Sequence, residues 1–84
     1  MNTKMYVGNL SFSVTESDVN ELFSAFGRIT EVNLITDRDT GKLRGFGFVT
    51  MESHEETLAA IKELDGKDFQ GRPLKVNEAK ERVS

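Results

Sequence analysis

Apolar and polar positions alternate in four stretches of the chain and recur at helical spacing in two. Lys4 to Gly8 alternates, with Met5 and Val7 on one side and Lys4, Tyr6 and Gly8 on the other, which predicts a short first strand. Ile29 to Thr36 does the same, with Val32 and Leu34 opposed to Glu31, Asn33 and Ile35. Arg44 to Met51 sets Arg44, Phe46 and Phe48 against Gly45, Gly47, Val49 and Met51, and Leu74 to Asn77 makes a last strand. Between these, Val19, Leu22, Phe23 and Phe26 fall at i, i+3, i+4 and i+7 within a helix expected over Thr15 to Phe26. Leu58, Ile61 and Leu64 form the apolar stripe of a second helix, Ser53 to Asp65.

The punctuation agrees with this segmentation. Thr15 stands as an N-cap three residues before Asp18, and Ser53 three before Glu56, so each helix opens on a capping box. Val14 and Val19 have hydrophobic-staple spacing, while Gly27 and Asp65-Gly66 provide the stops. Asn9 to Ser13 reads as a loop. Asp37-Arg38-Asp39-Thr40-Gly41-Lys42 is a charged, mobile connection that returns the chain antiparallel into the Arg44 strand. Gln70-Gly71 marks a small hairpin, and Pro73 suits the start of an edge strand.

The resulting order, strand-helix-strand-strand-helix-strand, is the split arrangement of an α+β, ferredoxin-like βαββαβ sandwich. Right-handed crossovers place the first and third strands at the centre of a four-stranded antiparallel sheet in the order 4-1-3-2, with both helices on one face. Met5, Val7, Val32, Leu34, Val49, Met51, Leu74 and Val76 then pack beneath the helices. Glycine weakens a strand interior unless something approaches closely, so Gly45 and Gly47 are expected under those helices. Tyr6, Phe46 and Phe48 converge on the open face.

Composition narrows the function. Eighty-four residues make one small domain, with a core over about 4–79 and a short tail, 80–84. No cysteine is present, which excludes a disulfide framework, a thiolate metal site and a cysteine nucleophile. The N-terminus lacks the basic stretch and apolar run of a signal peptide, and no segment reaches membrane-spanning length, so an intracellular protein is expected, cytoplasmic by preference and nuclear in a eukaryote. The net charge of -3 counts against a strongly basic nucleic-acid binder. The two helices, however, carry seven acids against Lys62 alone, which leaves the strands, loops and tail with a net +3.

Three clustered aromatics on a solvated sheet face call for a partner. Flat rings stack on nucleobases at roughly 1 to 3 kcal/mol per base without demanding a particular sequence. Lys4, Arg38, Lys42, Arg44, Lys75, Lys80 and Arg82 can flank such a track and meet phosphates, while Asn33, Asn77 and the backbone at Ala79 can offer hydrogen bonds to base edges. Only Glu78 to Ser84 follows the last strand, too few residues to cover three rings.

Arg44-Gly45-Phe46-Gly47-Phe48-Val49-Thr50-Met51 resembles the octamer motif of RNA recognition motif domains, and Met5-Tyr6-Val7-Gly8-Asn9-Leu10 resembles their hexamer. Both occur in the expected order and on the expected strands. The resemblance implies that Tyr6, Phe46 and Phe48 lie beneath or beside bases and that Arg44 stands near phosphate. Met51 departs from the aromatic residue that usually closes the octamer, but parity turns it to the core. Single-stranded RNA is thus the expected partner of a monomer needing no cofactor or metal. Single-stranded DNA and a protein-binding use of the same shape are the alternatives.

Competing readings make distinct demands. Arg44 can instead pair with Asp37 or Asp39 at the surface. His54 has no carboxylate or cysteine constellation and fits a role at the helix start. Gly45-x-Gly47 fails as a dinucleotide fingerprint, because Thr50 holds the third glycine position and a strand continues where a helix should begin. A small acyl-phosphate hydrolase of this architecture would need a phosphate-cradling loop with a partnered Arg and Asn, and none is evident. A peptide-binding variant would need an apolar groove on the helical face, where Glu16, Glu21, Glu55 and Glu63 stand.

Overall fold

A computed structural model describes residues 3–79. The elements follow the alternation: β1 (Lys4–Gly8), α1 (Glu16–Ser24), β2 (Ile29–Thr36), β3 (Leu43–Met51), α2 (His54–Leu64), β4 (Asp68–Phe69), β5 (Arg72–Pro73) and β6 (Lys75–Glu78). The main sheet is antiparallel in the order β2-β3-β1-β6, which is the expected 4-1-3-2 with β6 as its fourth strand. β4 and β5 form a separate hairpin turned by Gln70 and Gly71, both at positive φ, so Pro73 belongs to that hairpin and the last sheet strand starts after it.

Both capping boxes form. Asp18 donates its backbone N–H to Thr15 Oγ1 at 3.2 Å while its carboxylate accepts from Thr15 N at 3.1 Å, and Ser53 and Glu56 repeat this at 3.2 and 3.1 Å. Two orphan donors at each helix start are satisfied in this way. α1 stops at Ser24, two residues short of Phe26, yet Phe26 still packs on the core.

Met5, Val7, Val49, Met51, Leu74 and Val76 are buried beneath Val19 and Phe23 of α1 and Ala60 and Leu64 of α2, with Val32 and Leu34 half-buried. Leu58 departs from its expected place in the stripe, being 46% exposed. The inward face of α2 runs Thr57, Ala60, Ile61 and Leu64, and Leu58 lies one residue, about 100°, off its axis. Thr57 occupies that face because its hydroxyl can donate to Ser53 O at 3.0 Å or Thr3 O at 3.1 Å.

Both strand glycines are needed, for reasons other than helix packing. A Cβ on Gly47 would lie 2.8 Å from Asn33 O and 3.0 Å from Leu34 Cα, so the element that approaches closely is the neighbouring strand β2. Gly45 has φ +91°, in the left-handed region, at a step where β3 carries two more residues than β2 between paired positions. The bulge leaves Gly45 O to accept from Leu10 N at 2.8 Å, which fastens the β1–α1 loop to β3.

The connection expected to be mobile is a closed turn. Asp37 N donates to Lys42 O at 2.7 Å, Gly41 N to Asp37 O at 2.8 Å, and Asp37 Oδ1 accepts from Asp39 N at 2.8 Å and Thr40 N at 3.3 Å. Those backbone donors hold the Asp37 carboxyl below its ordinary range, with a smaller contribution from the field of Arg44.

Candidate nucleic-acid interface

Register builds the open face. Tyr6 of β1 stands opposite Phe48 of β3, and Phe46 shares their side two residues along. The three ring centroids form a near-equilateral triangle of 5.9, 6.0 and 6.4 Å. Tyr6 and Phe46 are tilted by 31°, while Phe48 stands nearly edge-on to both, at 67° and 89°. All three are half-buried, supported from the side and open above.

Gly8 explains the attitude of Tyr6. A Cβ there would lie 2.5 Å from Tyr6 Oη and 2.7 Å from Cε1, so the ring reclines along β1 into the space that Gly8 leaves empty. Gly8 belongs to the hexamer-like stretch, and alternation alone did not identify its role in seating the Tyr6 ring.

The same register aligns a polar residue at each end of a transverse row. Asn33 pairs with Phe48 and Asn77 with Tyr6, so Asn33, Phe48, Tyr6 and Asn77 cross the sheet in line. Both asparagines are exposed. Lys4 places Nζ 4.9 Å from the Phe48 centroid, a cation–π contact at the edge of the platform. Lys75 is exposed on β6 opposite Gly8, and Arg44 is exposed beside the Gly45 bulge. Arg44 makes no ion pair among the described residues, where Arg28 Nε lies 3.9 Å from Glu52 Oε2 and His54 Nδ1 lies 3.7 Å from Glu78 Oε1.

Other expected members stand differently. Arg38 and Lys42 are exposed on the β2–β3 turn, where Lys42 lines a hollow with Phe12 and Arg44. The Ala79 N–H donates to Lys4 O at 2.9 Å, extending the β1–β6 ladder. Lys80 and Arg82 lie outside the described residues.

Two neighbours of the platform were not singled out from the sequence. Phe12, on the β1–α1 loop, is 69% exposed, and Arg72, on β5, lines a hollow of about 280 Å³ with Tyr6, Phe46, Arg44 and Phe12. Phe12 sits in a polar run, Ser11-Phe12-Ser13, where an isolated aromatic breaks no periodicity. Arg72 reaches the site only through the β4–β5 hairpin, which Asn9 Nδ2 joins by donating to Pro73 O at 2.6 Å.

On the opposite side, a hollow between α1 and β2 is lined chiefly by polar groups, including Glu16, Ser17, Asn20, Thr30 and Glu31. Among the described residues, no group of three or more His, Cys, Asp or Glu side chains is placed to hold a metal, and no helix is long and apolar enough to cross a membrane.

Comparison with known proteins agrees with this geometry. A Nostoc sp. strain PCC 7120 protein named as a candidate RNA-binding protein, RbpE, is 56% identical over 78 residues, covering 93% of this chain and 79% of its own. The crystal structure of RNA-binding protein PG1 superposes with a TM-score of 0.91 at 48% identity, covering 98% of this chain and 99% of the other. A Sxl-lethal protein/RNA complex superposes at 0.88 with 34% identity, covering 92% of this chain and 47% of that one. The sequence model of the RNA recognition motif matches residues 5–75, which include the hexamer, the octamer and both helices that bury their reverse side. With its motifs on the two central strands of a β2-β3-β1-β6 sheet, the chain belongs to the RNA recognition motif family.

Proposed function

We propose that this chain is a binding module for single-stranded RNA, holding two to four nucleotides by stacking bases on Tyr6, Phe46 and Phe48. The observation that carries this is the triangle of half-exposed rings at the centre of the open sheet face, in line with Asn33 and Asn77. Rings spaced about 6 Å apart, with side-on support from one another, give successive bases separate surfaces at little ordering cost. Asn33 and Asn77, at the ends of the row, offer amide donors and acceptors to base edges, and Lys4, Arg44, Lys75 and Arg72 offer positive charge to phosphates. The RNA-binding names of the relatives, and the RNA held by one structural neighbour, support the same partner.

The single unit acts as a monomer inside the cell, where its RNA resides, and it binds without performing chemistry. The chain's negative charge makes the rings, more than a long-range field, the source of affinity, and roughly micromolar dissociation constants are expected.

The test is fluorescence anisotropy of a labelled random RNA pool at low salt. Phe46→Ala combined with Phe48→Ala removes binding while the far-UV spectrum is kept. Unchanged affinity in this variant, or no binding by the wild type, would refute the proposal. A DNA pool run in parallel measures how far the 2′-hydroxyl is read, since stacking alone does not distinguish the two.

A further inference from the structure

We propose that the outer edge of β2, with the hollow between it and α1, docks an extended segment of another polypeptide whose alternate side chains are Lys or Arg. The segment adds a strand to the sheet and lodges one basic side chain in the hollow.

β2 ends the sheet, pairing with β3 alone, so along its outer side every second residue turns an N–H and a C=O away from any strand. Among the described residues, no other backbone group bonds to that side. The two edges of the sheet are guarded differently. β6 spans four residues, begins on Lys75 and follows the Pro73 hairpin. β2 spans eight residues, none of them Pro, Lys or Arg. Short length, proline and lysine are the devices that keep a sheet edge from accepting a further strand, and β2 lacks all three. Its register shifts fall between Ile29 and Glu31 and between Leu34 and Thr36, and they bracket a stretch, Glu31 to Leu34, in unbroken register with β3. That stretch is open to a regular partner strand, with main-chain hydrogen bonds as the source of affinity.

The hollow specifies the partner's side chains. It measures about 390 Å³ and is bordered by Glu16, Ser17 and Asn20 of α1 and by residues 29–32 of β2. Ile29 and Val32 are half-buried and give it an apolar wall, while Glu16 and Glu31 are exposed. A Lys or Arg side chain matches both parts, its aliphatic stem lying on Ile29 and Val32 and its charged head meeting the carboxylates. α1 and β2 together hold Glu16, Asp18, Glu21 and Glu31 and no Lys or Arg. The same charges disfavour other occupants. An RNA strand brings phosphates to carboxylates. A second copy of the chain, itself at -3, sets Glu16 and Glu31 against their own counterparts.

Fluorescence anisotropy on the full chain tests this with a labelled, capped eight-residue peptide of alternating arginine and valine. Two controls accompany it: the same peptide with glutamate for arginine, and the arginine peptide methylated at every backbone nitrogen. The arginine peptide should bind and the glutamate peptide should not. Methylation keeps the charge but removes the donors, and should weaken binding about tenfold or more. Glu16→Gln with Glu31→Gln should weaken the arginine peptide about 10- to 150-fold, the worth of one charge-assisted hydrogen bond, without moving the thermal midpoint, since both residues are exposed. Hydrogen exchange on the wild type requires no variant: outward amides within Glu31 to Leu34 should slow on adding the arginine peptide, and those of β6 should not. Phe46→Ala with Phe48→Ala should bind the peptide like the wild type, because the rings stand on the open face rather than at the edge. Equal binding of the methylated peptide, no added protection in β2, a dimer of the chain alone formed through this edge, or loss of peptide binding in the ring variant would each overturn the inference.

Discussion

Gly8→Ala should impair RNA binding while sparing the fold, and Gly47→Ala should do the reverse. At Gly8 the new methyl would come within 2.5 Å of Tyr6 Oη, 2.7 Å of Cε1 and 2.8 Å of Cζ. All three atoms belong to the far end of one rotatable side chain, so relief comes by lifting the Tyr6 ring about its χ angles. That movement takes Tyr6 out of the 5.9 and 6.0 Å contacts with Phe46 and Phe48. One of three stacking surfaces is lost, worth about 1 to 3 kcal/mol, or roughly 5- to 150-fold in dissociation constant. At Gly47 the clash is with Asn33 O at 2.8 Å and Leu34 Cα at 3.0 Å, backbone atoms of a paired strand that yield only if β2 and β3 separate. Overpacking of that kind costs about 1 to 3 kcal/mol. In a domain of this size each kcal/mol lowers the thermal midpoint by about 4 to 8 °C. Anisotropy titration and thermal unfolding on both variants supply the four numbers. A Gly8→Ala protein that binds RNA like the wild type, or that loses as much stability as Gly47→Ala, would refute the account of the reclining tyrosine.

Ser53→Ala removes the hydroxyl acceptor that caps α2 and should cost about 1 kcal/mol in urea unfolding; no change would mean that water replaces the cap fully. Leu58→Ala should alter stability by no more than about 0.5 kcal/mol, whereas Leu64→Ala, at a fully buried position, should cost about 2 to 5 kcal/mol, and similar losses from both would contradict the exposed placement of Leu58. Asp18 has its pKa lowered in the folded chain, first by the Thr15 backbone N–H, so the unfolded chain binds its proton more readily. Its contribution to stability is therefore complete above the unfolded value, about pH 4, and fades as pH falls through the lower folded value. Asp18→Asn, which can still accept from Thr15 N, should flatten that acid limb in unfolding curves recorded from pH 6 to 2, and an unchanged limb would rule Asp18 out as a contributor.

Much of the architecture could be read along the chain because the information is local. Helix starts are written in Thr15 with Asp18 and Ser53 with Glu56, since a capping box closes within four residues. The outward placement of Tyr6, Phe46 and Phe48 follows from a period of two, which holds in any sheet that buries Met5, Val7 and Val49 on its other side. The order of elements, with right-handed crossovers, then leaves few ways to arrange four strands. The two motifs therefore marked both the family and the centre of its candidate site.

Tertiary structure decided whatever depends on how far apart segments lie once they meet. Periodicity assigned a face to Gly45 and Gly47 but could not show that a bulge demands positive φ at one and that β2 crowds the other. Helical spacing admitted Leu58 to the stripe, and only the packing of α2 on the sheet gave the place to Thr57. That the Ala79 N–H pairs with Lys4 O follows only from the pairing of β1 with β6. The alignment of Asn33 with Asn77 needed the register of three strand pairs at once. Phe12 and Arg72 entered the site through contacts between segments distant along the chain, Leu10 with Gly45 and Asn9 with Pro73, which no local pattern encodes. The sequence by itself determined which side chains stand on the open face of the sheet. Packing across the sheet determined how they are spaced and which loop residues join them, because those distances arise only when the strands pair.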